Sequence, residues 1–199
     1  MALTMAGAAV DAWAEVAQNT IREGTEVDLS GSFQSFLHID AALSSTTAHT
    51  GTRIIIETAS SAADLEFWTP VQDFITCVGT ANTEVFTATE PAGETVIAAA
   101  STTGYTAGLW AAVIDDTKAN SEVVRVTSIE TDTSVTLQDP LKRQHTVDPV
   151  SALTNIAASY SIELPLGTLR ARVLYVNTYD VDGSSIITRA RAVTVTALS

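Results

Sequence analysis

The chain has 199 residues, with 23 acidic against 10 basic side chains for a formal charge of −13, and only 17% of its residues are charged. That length suits one large β domain or two small ones around a real core. The acidic balance argues against the clustered Lys and Arg that phosphate contacts need, so neither nucleic acid nor anionic lipid is expected as a partner.

The mean hydropathy of +0.21 reflects few charges and abundant Ala, Thr and Val. No run of 18 apolar residues is present, so no membrane-spanning helix is expected. Met1 to Val10 is apolar but has no basic stretch, and Asp11 and Glu15 follow, so no secretory signal is expected. Charge is unevenly placed: residues 1–153 hold 20 acids and 6 bases, whereas residues 154–199 hold 3 acids and 4 arginines. Cys77 is the single cysteine, which excludes an internal disulfide and reads as a small buried thiol.

In chain order, residues 6–23 place Val10, Trp13, Ala17 and Ile21 at helical spacing with Gly24 as a stop. The spacing predicts a short Ala-rich helix, or an N-terminal arm over 1–24 that orders against a neighbour. From Thr25 the period becomes two. Phe33, Leu37, Ile39, Ala41 and Leu43 alternate with polar residues and predict a half-buried strand. A turn over 44–51 precedes a β-branched strand at Arg53 to Thr58. Asp64 to Phe74, with Trp68 and Pro70, reads as a loop entering another short strand.

A shift in composition near Val78 opens a region of short, closely spaced strands. It includes Glu94 to Ala98, Leu109 to Ile114, Ser121 to Ile129 and Ser134 to Gln138, with a turn at Asp115-Asp116-Thr117. This is the pattern of a small β barrel or sandwich over 78–153, inserted into a β-sandwich body made of 25–77 and 154–199. Longer strands return at Ala158 to Leu164, Leu169 to Thr178 and Ser185 to Thr196. The last two flank Tyr179-Asp-Val-Asp-Gly183 and predict a hairpin. The expected fold class is therefore mainly β, a sandwich-like body with an inserted small β domain.

Motifs for chemistry are absent. There is no Gly-x-Ser-x-Gly elbow, no phosphate-binding Gly-rich loop and no His-x-x-x-His pair among His38, His49 and His145. No catalytic, cofactor-binding or metal residue is expected, and no cofactor. Asp180-Val-Asp182-Gly183 resembles the opening of a calcium loop, but the further oxygen ligands and the Glu near the twelfth position are missing from Ile186 to Arg191, and a tight turn alone accounts for Asp-Gly.

The arginines are the candidate interface residues. Arg170 and Arg172 fall on one face, and Arg189 and Arg191 on another. In a hairpin centred on the Asp-Gly turn, Arg172 would sit opposite Arg191, which is destabilising without nearby anions. Either they pair within the chain, with Glu57, Glu163 or another acid, or they form a basic stripe that meets the acidic face of a neighbour. Trp13, Trp68 and Trp110 read as core anchors, with Trp13 also the best-placed binding hot spot.

Two stretches carry a family resemblance. Glu23-Gly-Thr-Glu-Val-Asp-Leu-Ser-Gly31, with Leu37 to Leu43 and Ala48 to Ile55, resembles small structural proteins of tailed bacteriophages. Gly104-Tyr-Thr-Ala-Gly-Leu-Trp110, with Val113 to Asp116, Ser121 to Val124 and Thr133 to Leu141, is similar to a β module of several virion proteins. The resemblance implies a non-enzymatic virion component made in the host bacterial cytoplasm. Such a component partners the major capsid protein or other virion proteins and forms a homo-oligomer. A capsid decoration (cement) protein is the first expectation and a head–tail neck or tail protein the second. A carbohydrate-binding β module is the alternative of a different class.

Overall fold

The computed structural model describes residues 4–43, 48–60, 67–147, 151–177 and 186–196. The strands are β1 (Thr4–Val16), β2 (Thr20–Glu23), β3 (Val27–Asp28), β4 (Gln34–Leu43), β5 (Thr52–Ala59), β6 (Thr69–Thr76), β7 (Thr83–Val85) and β8 (Val96–Ala98). They continue as β9 (Trp110–Ile114), β10 (Glu122–Glu130), β11 (Ser134–Leu137), β12 (Ala152–Thr154), β13 (Ala157–Glu163), β14 (Arg170–Asn177) and β15 (Ile186–Thr196). A single 3₁₀ turn spans Lys118–Asn120, and no α-helix occurs among the described residues. The mainly β, sandwich-like class expected from the alternating pattern is the observed one.

Three sheets result: β1-β15-β4-β13, β2-β14-β5-β6 with β3 beside β14, and β7-β12-β9-β10-β11-β8. All the pairings are antiparallel. The first two sheets share one core. Leu37, Ile39 and Leu43 of β4 pack with Ile54 and Ile56 of β5 and Val173 and Tyr175 of β14. Alternate burial along β5 and β14 follows from the two-residue side-chain period. Each fully buried Leu or Ile contributes roughly 2 kcal/mol of transfer free energy.

The six-stranded sheet, drawn from residues 83–154, gathers a second core around Ile97, Val113, Val126, Val135 and Leu153. A third, smaller cluster joins it to the sandwich: Trp13, Ala42 and Ile187 pack against Ala112 and Ile114. At the same seam Thr154 Oγ1 donates to the Leu43 carbonyl at 3.0 Å.

The N-terminal segment differs from its expectation. Residues 6–23 are neither a helix nor a free arm. β1 pairs along β15 from Thr4↔Thr196 to Val16↔Ile186 as an edge strand of the sandwich, and a turn leads into β2. The cause of the misreading is specific. The β1–β15 register slips between Ala9 and Asp11 and again between Asp11 and Ala14, and each irregularity inserts residues into the strand. Burial therefore recurs at Val10, Trp13 and Val16, a spacing of three that imitates a helix. Ile21, assigned to the buried helix face, is 67% exposed. Gly24 is not a helix stop. A β-carbon there would strike the Asp11 carboxylate and come within 2.9 Å of the Val173 carbonyl, so glycine permits the close approach.

The terminal hairpin also differs. β14 and β15 do not pair with each other: β14 lies between β2 and β5, whereas β15 lies between β1 and β4 in the facing sheet. Arg172 stands opposite Glu57 and Arg191 opposite His38, so the predicted Arg172–Arg191 clash does not arise. An Asp-Gly turn signal carries no information on which strands lie alongside, and that is what differs here. The turn itself, with Asp180 and Asp182, lies outside the described residues. Pro70, read as part of a loop, belongs to edge strand β6 beside a register irregularity, a position that tolerates its missing N–H. Cys77 is free and buried, and burial pushes its thiol up to about 12, which keeps it protonated and unreactive.

Candidate interaction surfaces

At the seam between the sandwich and the six-stranded sheet lies a cleft of about 280 Å³. It is lined by Asp11, Ala12, Trp13, Ala119, Arg143, Arg189 and Arg191. The β4–β15 ladder places Arg189 directly opposite Asp40. Arg189 Nε donates to Asp40 Oδ2 at 2.7 Å, Ser159 Oγ to Asp40 Oδ1 at 2.6 Å, and Arg191 Nη2 stands 3.7 Å from the same carboxylate. Asp40 is 2% exposed, so this ion is buried and fully used. The Arg189 guanidinium also covers the Trp13 ring at 4.8 Å, a cation–π contact that fixes both side chains.

Arg143 reaches the cleft from the other side through a second constellation. His145 is fully buried, with Nδ1 3.2 Å from Asp115 Oδ2 and Nε2 3.0 Å from Glu122 Oε1. Ser151 Oγ donates to Asp115 Oδ2, and the backbone amides of Lys142 and Arg143 donate to Glu122. Burial pushes the Glu122 carboxyl up, but the hydrogen bond from His145 and those amides outweigh it, and the carboxyl is held below its ordinary value. The Ser151 hydroxyl is directed to a carboxylate rather than to the imidazole, and both ring nitrogens are occupied. What the centre does chemically is hold the 142–145 segment against β10 and the Lys118–Asn120 turn. The Arg143 side chain completes that contact by donating to the Ala119 carbonyl and Asn120 Oδ1.

A different surface covers the outside of the β2-β14-β5-β6 sheet. One row across its four strands is Ile21, Val176, Arg53 and Ile75, and the next is Glu23, Leu174, Ile55 and Asp73. Ile21 and Ile75 are 67% and 61% exposed, while Ile55, Leu174 and Val176 are half-buried. Ion pairs fence this apolar strip. Arg53 pairs with Asp73, and Arg172 pairs with Glu23 and, at 2.7 Å, with Glu57 while stacking 4.3 Å from the Trp68 ring. Arg170 pairs with Glu26 at the same sheet's end.

The five residues predicted as interface candidates are thus divided. Trp13, Arg189 and Arg191 meet at the seam cleft, and Arg170 and Arg172 lie on the five-stranded sheet, each paired with acids of its own chain. Glu57, an expected internal partner, is the acid that Arg172 meets. Of the three tryptophans read as core anchors, only Trp13 is buried. Trp68 and Trp110 are half-buried beneath Arg172 and Arg125, because a stacked guanidinium lets a large ring stay near solvent. Asp40, Asp115, Glu122, Arg143 and His145 were missed as a group. Asp115 was read as a turn residue and His145 as an isolated histidine. Asp115 and Glu122 meet His145 across 30 and 23 positions of sequence, and Asp40 meets Ser159 and Arg189 across 119 and 149, separations for which no local spacing is a signal.

No family model and no curated protein matches the chain. Among solved structures, the K3 cleaved adhesin domain of Lys-gingipain from Porphyromonas gingivalis w83 is similar at 12% identity, TM-score 0.35, over 87% of this chain and 63% of that one. VP17, a capsid protein of bacteriophage P23-77, is similar at 11% identity, TM-score 0.22, over 99% and 100% of the two chains. The complex of VP16 and VP17, the two major capsid proteins of the same phage, is similar at 11% identity and TM-score 0.21, over 96% and 99%. Likeness at this level, two of the three being phage capsid structures, transfers neither a site nor a function to this chain.

Proposed function

We propose that this chain is a non-enzymatic virion structural protein that decorates and stabilises an assembled phage head. The observation that carries the proposal is the outer face of the β2-β14-β5-β6 sheet. Exposed Ile21 and half-buried Val176, Leu174 and Ile55 form an apolar patch there, the Arg53–Asp73 pair separates it from exposed Ile75, and the sandwich beneath has its own complete core. An apolar centre with a charged rim is the composition of a protein–protein contact. The family resemblance of residues 23–31, 37–43 and 48–55 supports the same reading, since β5 supplies the middle of the strip. The partner is the major capsid protein, with further copies of this chain beside it. Binding only the assembled state raises the stability of the shell by mass action.

The test is rebinding of purified protein to undecorated, expanded shells. Saturation at hundreds of copies per particle, with loss of binding in the double variant Ile21→Asp, Ile75→Asp and unchanged melting of the free protein, supports decoration. A discrete ring of about a dozen copies or fewer, closed through heterologous contacts, replaces it with a neck or tail role.

A further inference from the structure

We infer that the seam cleft is a carboxylate-binding site that takes an acidic side chain from a segment of a partner protein. Three guanidinium groups line it; Asp40 already pairs with Arg189, and Asp11, also on the lining, is engaged by other groups, which leaves Arg143 and Arg191 to meet a ligand. Asp40 is buried beneath Arg189 and Ser159. Asp11 accepts from the Thr25 amide at 3.1 Å and the Tyr175 hydroxyl at 3.2 Å, and it faces Arg22.

Arg143 is exposed and donates only to neutral oxygens, Ala119 O and Asn120 Oδ1, so among the described residues it is a cation without an anion. The Arg191 side chain is 49% exposed, and its nearest carboxylate oxygen, at 3.7 Å, already accepts from Arg189. On a chain with a charge of −13, this is a local excess of positive charge. Guanidinium forks that keep donors in reserve suit a planar carboxylate.

A second observation is independent of charge. Trp13 lines the cleft and is 5% exposed, and its Nε1–H is buried with no acceptor among the described residues. A buried N–H without a partner is unfavourable, and it marks the seam beside the cleft as incompletely satisfied in the free chain. Trp13 and Ala12 also provide an apolar wall beside the cations. That combination favours a carboxylate on a methylene stem, as in a glutamate side chain, over a free inorganic anion. The site is independent of where in an assembly the chain resides.

Binding is read from the Trp13 indole N–H in ¹H–¹⁵N correlation spectra, assigned with Trp13→Phe. The probes are a blocked hexaglutamate peptide, glutarate and inorganic phosphate at constant ionic strength. The expected result is a saturable shift of the Trp13 signal with the peptide, while the Trp68 and Trp110 signals stay still. Arg143→Gln and Arg191→Gln each weaken it about tenfold, and Arg→Lys versions, which keep the charge but lose the fork, fall between. Folding of each variant is read from the rest of the same spectrum, and both arginines are open enough to solvent to be replaced without disturbing a core. A non-saturating response, or equal affinity in the Gln variants, overturns the site. Saturation by glutarate without the peptide overturns the partner segment, and tighter binding of phosphate overturns the carboxylate.

Discussion

The sandwich and the six-stranded sheet solve the same stability problem with charges in opposite places. In the sandwich, two facing sheets close over a continuous apolar core, and most of its ion pairs lie on outer faces, as with Arg172–Glu57, Arg170–Glu26 and Arg53–Asp73. In the six-stranded sheet, strands as short as three residues leave long connections to be tied down. A buried histidine between two carboxylates ties them. A sheet with a large partner sheet can leave its polar groups in water. A sheet without one must organise its loops internally, and a buried polar network does so only when every member is satisfied.

The sharpest way to break this contrast is His145→Ala, which removes the group that bridges the buried Asp115 and Glu122 carboxylates and leaves them with their amide and hydroxyl donors alone. The expected cost is about 3–5 kcal/mol, a fall in melting temperature on the order of 10 °C. Hydrogen exchange should rise first in β7–β12 and only later in β4, β5 and β14. Equal deprotection of the sandwich would remove the distinction between the two regions.

On the sandwich side, Arg172→Gln removes a partly exposed pair and its stacking on Trp68, so a loss of only about 1 kcal/mol is expected in urea unfolding. A loss as large as that of His145→Ala would mean that the outer ions carry the sandwich.

The smallest expected effect concerns pH. Because the Glu122 carboxyl is held below its ordinary value of 4.5 in the folded chain, its contribution is present above that pH and is lost as pH falls through the folded value. Between pH 5.5 and 3.5 the urea midpoint of the native protein should therefore fall more steeply than that of Glu122→Gln. Glu90, whose carboxyl burial pushes up, acts in the opposite sense but is common to both proteins. Parallel curves would show that Glu122 contributes nothing to the centre.

Much of the fold was legible because strand alternation is a local property. Leu37, Ile39 and Leu43, and likewise Ile54 and Ile56, announce a buried face wherever their partner strands lie. β1 was not legible, because two register slips convert a period of two into a period of three and only the pairing with β15 reveals them. The arginines marked out by their position in the chain do form ion pairs. Their partners are set by which strand lies alongside, so Arg172 meets Glu57 and Arg189 meets Asp40.

By itself, the sequence determined a β-rich acidic chain without a recognisable catalytic motif, because composition, alternation and the spacing of short motifs are carried by neighbouring residues. Tertiary structure alone decided that β14 and β15 belong to different sheets, that Trp13 lies at a seam with Arg143 and Arg191, and that His145 meets Asp115 and Glu122. Those relations join residues tens to hundreds of positions apart, and their energy exists only once the layers have packed.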